Sequence, residues 1–151
     1  MQLTRNEIIM KYAGLAYAVM FIGAVLVFIC LPGAMFGLMN DASRTLFPSL
    51  PPAADAGKFW LSLTVSMMVT ITVLSVMIFR DVKGNYRMAV PIVAAKFTSS
   101  LSGLGFFIAG FVIPDTGWNT LANLAILFTD FPLGVAMLVL FMKVRKERAS
   151  R

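Results

Sequence analysis

Histidine is absent from this chain, and cysteine occurs once, as Cys30. Without imidazole there is no histidine-held haem and no His-based zinc centre. A single thiol excludes an intrachain disulfide and a dithiol redox pair. Charge is sparse: 13% of the 151 residues, with seven acidic against thirteen basic. The seven carboxylates are scattered, so sequence neighbours assemble no acid pair and no two-metal site. There is no P-loop and no Gly-x-Ser-x-Gly elbow. Gly103-Leu104-Gly105, followed by Gly110, lacks dinucleotide spacing and lies inside an apolar run. No metal and no cofactor is expected.

What the chain has in excess is apolar surface. Hydrophobic residues make up 59%, where a soluble domain has roughly 45–50% and carries about 25% charged residues. A protein this small has too much surface for its volume to hide that excess from water. The composition predicts an all-α, polytopic integral membrane protein, with residues 1–151 as one four-span domain.

Four apolar runs reach the roughly 20 residues that a spanning helix needs. They cover approximately 12–31, 59–79, 90–113 and 118–142. Thr4 and Glu7 have capping-box spacing, so the first helix is expected to start before its apolar run. Leu3 and Ile8 occupy hydrophobic-staple positions. Pro32-Gly33 reads as a stop. Gly84-Asn85 reads as a turn, Pro91 suits a first helical turn, and Pro114-Asp115-Thr116-Gly117 reads as a tight hairpin. The first run is longer than a signal-peptide core of 7–15 residues, and the bulky Ile29 before Cys30 does not suit a lipoprotein cleavage site. The first helix is therefore expected to be retained.

Lysine and arginine in the flanks set the orientation. Arg5 and Lys11 precede the first span. Arg80, Lys83 and Arg87 lie between the second and third. Lys143, Arg145, Lys146, Arg148 and Arg151 follow the fourth. The opposite side carries only Arg44 and Lys58. This asymmetry predicts that both termini are cytoplasmic, and the overall look is that of a small multi-pass protein of the bacterial inner membrane, a four-helix bundle by architecture. Trp60 and Trp118 fall at the outer boundary, Tyr12 and Tyr86 near the inner one, as interfacial rings should. The tail at 143–151 is expected to meet lipid headgroups through Lys143, Arg145, Lys146 and Arg148. It is too short a basic patch to indicate nucleic acid. The outer segment 32–58 reads first as a connector whose apolar beginning lies on the membrane surface, and second as a lid or docking segment.

Two ionisable residues lie inside the spans, Lys96 and Asp130. Each costs about 2.5–3.5 kcal/mol at a helix centre, and such residues are usually functional. A depth gap of about 9 Å separates them at 1.5 Å per residue. Lys96 leans toward the cytoplasm and Asp130 away from it, because side chains tilt toward their own helix N-terminus. Two outcomes stay open: direct pairing, or Lys96 snorkelling to the headgroups.

Around them run polar stripes: Asn119, Asn123, Asp130 and Gly134; Lys96, Ser99, Ser100, Gly103 and Gly110; and Ser62, Ser66 and Thr70. These are expected to face inward together, either as packing contacts or as the lining of a polar cavity. Asp130, Lys96, Asn123, Ser99, Ser100, Ser66 and Thr70 are the candidate ligand- or partner-contacting residues. Pro132 frees a helix carbonyl beside Asp130. The favoured expectation is a small non-enzymatic accessory or assembly subunit, working with the lipid bilayer and with a membrane-protein partner or a second copy of itself. A proton- or cation-linked transporter acting as an oligomer is the alternative. A membrane enzyme acting on a lipid or quinone is the third.

Overall fold

A computed structural model describes residues 2–53, 58–113 and 118–150. The hairpin expected at 114–117, Arg151 and the Trp60 side chain lie outside the described residues. Among the described residues the secondary structure is helical, with no strand. In chain order come α1 (Arg5–Cys30), α2 (Pro32–Leu46), α3 (Lys58–Arg80), α4 (Val82–Asn85), α5 (Ala89–Val112) and α6 (Leu121–Ala149), with a 3-10 turn at Tyr86–Met88 before α5. Four of the helices are long and apolar enough to cross a membrane.

The capping box forms as its spacing predicts. Thr4 N–H donates to Glu7 Oε2 at 2.9 Å and Glu7 N–H donates to Thr4 Oγ1 at 3.1 Å, which starts α1 at Arg5. The staple is replaced by core packing: Leu3 lies against the buried cluster while Ile8 remains exposed. Twenty-six residues make α1 about 39 Å long, enough to span with residues to spare.

Four boundaries differ from expectation, the first three for a local reason. Pro32 ends α1 but also opens α2, because a proline at the first helical position has its φ already set and needs no hydrogen-bond donor. Most of the expected connector is therefore a second, 15-residue helix. Its Asn40 side chain grips Ala53 through both backbone groups, at 3.1 and 2.8 Å, and folds the following segment back onto it. The turn at Gly84-Asn85 is a short helix capped by Asp81, whose carboxylate accepts from Gly84 N–H at 3.0 Å. The last span starts at Leu121 rather than Trp118, because Thr120 is its N-cap. It also continues to Ala149, so the basic tail is helical.

The long helices pack as two pairs, α1 with α3 and α5 with α6, which meet mainly through α1 and α6. Glycine sets the closest approaches. A Cβ on Gly14 would sit 2.8 Å from the Ser75 carbonyl oxygen, and one on Gly103 would sit 2.7 Å from that of Asn123. Several fully or nearly fully buried apolar side chains lie where the start of α1, the α3–α5 connection and the end of α6 meet: Met10, Ile78, Val82, Ala89, Ile92 and Val144. Many large apolar side chains elsewhere face outward, among them Val19, Leu101, Phe111 and Phe128. Lipid can cover such surface as well as protein can.

The start of α1 and the end of α6 are joined by polar contacts. Arg148 Nε donates to Glu7 Oε1 at 3.2 Å, and Thr4 Oγ1 donates to Glu147 Oε2 at 2.7 Å. Arg148 also lies 4.6 Å from the centre of the Tyr86 ring. It is thus tied into the protein rather than turned to headgroups, because the buried Glu7 carboxylate requires a counter-charge. Glu7→Ala removes both a cap bond and this ion pair. It is expected to destabilise the protein by about 2 kcal/mol, seen as a lower unfolding midpoint in detergent.

Candidate functional site

The two charges within the long apolar helices pair. Lys96 Nζ lies 2.7 Å from Asp130 Oδ1, with the lysine side chain 3% exposed and the aspartate 17% exposed. The depth gap closes because Gly134 faces the base of Lys96: a Cβ there would be 3.1 Å from Lys96 Cβ. Gly134 is one helical turn from Asp130, about 6 Å along the axis. A lysine stem bridges that distance when it turns toward its own helix C-terminus. Ion pairing in a site of low dielectric outweighs the directional preference of the side chain.

The remaining polar atoms are satisfied locally. Ser99 Oγ donates to Asp130 Oδ2 and is also 3.0 Å from the Lys96 carbonyl oxygen, so its single proton serves one of the two at a time. Ser100 Oγ donates to the same carbonyl at 2.7 Å. The Lys96 ammonium sits 4.0 Å from the centre of the Phe21 ring, a cation–π contact supplied by α1. Tyr17, one turn earlier on α1, donates its hydroxyl to the Leu133 carbonyl. Leu133 follows Pro132, whose missing N–H removes the usual helix donor of the Phe128 carbonyl one turn earlier.

Helices α1, α5 and α6 thus converge on one ion pair. Tyr17 and Phe21 do not stand out among the polar stripes of the sequence. The periodicity of Gly14, Tyr17, Ala18, Phe21 and Val25 does mark them as one buried helix face.

The other candidates do not join this site. Ser66 and Thr70 are exposed, and Thr70 Oγ1 donates to the Ser66 carbonyl at 2.9 Å. Helix α3 buries a different face, Ile71, Ser75 and Ile78. A hydroxyl that bonds the preceding turn of its own helix can face lipid without an unpaired proton. Asn123 lies in the first turn of α6, where its side-chain amide donates to the Trp118 carbonyl at 2.6 Å. Because α6 begins later than expected, Asn123 secures the helix entry instead of lining a midplane site. The stripes therefore do not converge. Lys96, Ser99, Ser100 and Asp130 come together, whereas Asn123, Ser66 and Thr70 lie elsewhere.

On the outside of α5, Ser102, Gly105, Phe106 and Ala109 form a shallow groove of about 270 Å³ with Trp118, which none of the ion-pair residues lines. Among the described residues no group of three or more His, Cys, Asp or Glu is placed to hold a metal ion. Lys143, Arg145 and Lys146 are exposed at the end of α6. In comparisons with family models, curated proteins and solved structures, nothing matches this chain.

Proposed function

We propose that this protein is a non-enzymatic accessory or assembly subunit of the bacterial inner membrane, a four-helix bundle with both termini cytoplasmic. One observation carries the reading: the two intramembrane charges neutralise each other within the chain. Asp130 then needs no cation from a partner, and the pair acts as an internal lock on α1, α5 and α6. The lock leaves hydroxyl and small residues on the outer faces of α3 and α5, with Ser66, Thr70, Ser102 and Gly105 exposed. Small and hydroxyl residues let a neighbouring transmembrane helix approach closely. A membrane-protein partner or a second copy would dock there.

Leucine at Ser66 and Thr70, or at Ser102 and Gly105, fills these faces without touching the ion pair. At least one of these variants is expected to lose the associated species in native mass spectrometry from mild detergent, with its unfolding midpoint retained. Unchanged association in both would end the proposal.

A second reading, a proton- or cation-linked carrier, draws support from the residual exposure of Asp130 and from Pro132 beside it. In proteoliposomes it requires a flux driven by a pH or cation gradient that Asp130→Asn abolishes.

A further inference from the structure

The apolar stretch of α6 ends at Met142, but the helix continues to Ala149, about 10 Å further. This extension is docked. Val144 is fully buried, and the half-buried Glu147 and Arg148 lie against the start of α1. Glu147 accepts from the Thr4 hydroxyl at 2.7 Å and from the Asn6 amide at 2.5 Å, while Arg148 holds Glu7. The contacts turn both acids of the junction toward the protein. They leave Lys143, Arg145 and Lys146 exposed, with Arg5 exposed on the first turn of α1. The exposed charge here is positive, and it begins one residue beyond the apolar run.

We propose that the end of α6 is a preorganised binding site for anionic phospholipid headgroups, with Glu7, Asn6 and Glu147 as positioning residues. Charge complementarity argues for the lipid, and so does location: the cations sit where a helix leaving the hydrocarbon meets phosphate. The clamp argues for a built site. A loose basic tail would have to be ordered on binding, whereas side chains on a docked helix start close to their bound arrangement. This site is separate from the Lys96–Asp130 pair and stands or falls independently of the proposed subunit role.

The test uses the full chain reconstituted in vesicles, comparing spin-labelled phosphatidylglycerol with spin-labelled phosphatidylcholine in the motionally restricted lipid signal. Wild type is expected to favour the anionic lipid by about fivefold, the effect of one engaged cation. The preference should fade in molar salt. Lys143→Gln, Arg145→Gln and Lys146→Gln together should reduce it nearly to one.

Glu7→Gln separates the clamp from diffuse attraction by sign. It makes the protein more positive, so simple charge attraction predicts a stronger preference, whereas loss of positioning predicts a weaker one. Asn6→Ala changes no charge, should also weaken the preference, and decides the matter if Glu7→Gln is not recovered from the membrane. The proposal is overturned by an unchanged preference in the triple variant, or by Asn6→Ala leaving the preference intact. Displacement of the labelled lipid by millimolar inorganic phosphate or by a short oligonucleotide would also overturn it, by assigning the face to a soluble anion or to nucleic acid.

Discussion

Asp130→Leu is expected to destabilise the protein by about 3–5 kcal/mol, the usual cost of stranding one member of a buried ion pair. The loss falls on Lys96, which is 3% exposed and would keep the Phe21 ring against its ammonium but no carboxylate. Lys96→Met should cost less. It leaves Asp130, which is 17% exposed and keeps the Ser99 hydroxyl. The double variant Lys96→Met/Asp130→Leu should recover most of the stability, because two apolar side chains of similar size replace the pair without leaving a charge behind. Unfolding by denaturing detergent gives the four corners of the cycle. Losses that simply add would show that the contact contributes no coupling and would remove the lock from the account of α1, α5 and α6. Recovered stability without recovered association would instead mark the charges as functional rather than structural.

The second large effect is expected at Gly103. A valine there meets the Asn123 carbonyl oxygen, 2.7 Å from the Cβ position, and the Ile126 Cβ at 3.2 Å. The first is backbone and cannot rotate away, so α5 and α6 must separate. Overpacking of this kind costs about 1–3 kcal/mol, and the separation is expected to lengthen the Lys96–Asp130 contact about two turns away. Gly105 is the control. Nothing lies within 4 Å of a Cβ there, so Gly105→Ala should be neutral or slightly stabilising. Equal behaviour of Gly103→Val and Gly105→Ala in the same unfolding assay would contradict the close approach of the two helices. Gly134→Ala should be intermediate, because its neighbour is the base of Lys96 rather than backbone. Its effect should be non-additive with Lys96→Met, since both act on the same contact.

The features legible in the residues were local ones. Thr4 and Glu7 are three positions apart, and the hydrogen bonds that start α1 follow from that spacing alone. The long apolar runs become helices because a bilayer-length apolar segment satisfies its backbone only internally. Lys96 and Asp130 stand out because ionisable groups are rare in such runs. The extra helix at Pro32–Leu46 was hidden because the same proline serves as a stop and a start.

Packing settled the rest. In a water-soluble helix, a polar face announces which side turns outward. Here most of the surface of each long helix is apolar and lipid tolerates scattered hydroxyls, so a polar stripe by itself does not fix rotation about the helix axis. That rotation came from contacts between helices: Gly14 against Ser75, Gly103 against Asn123 and Gly134 against Lys96. It turned Ser66 and Thr70 outward, brought Tyr17 and Phe21 to the ion pair, and directed Lys96 to Asp130 instead of the headgroups. Length, spacing and charge rarity act within a few residues and can be read from a string of letters. The meeting of three helices at one carboxylate depends on how closely their backbones approach, which exists only once the chain has packed.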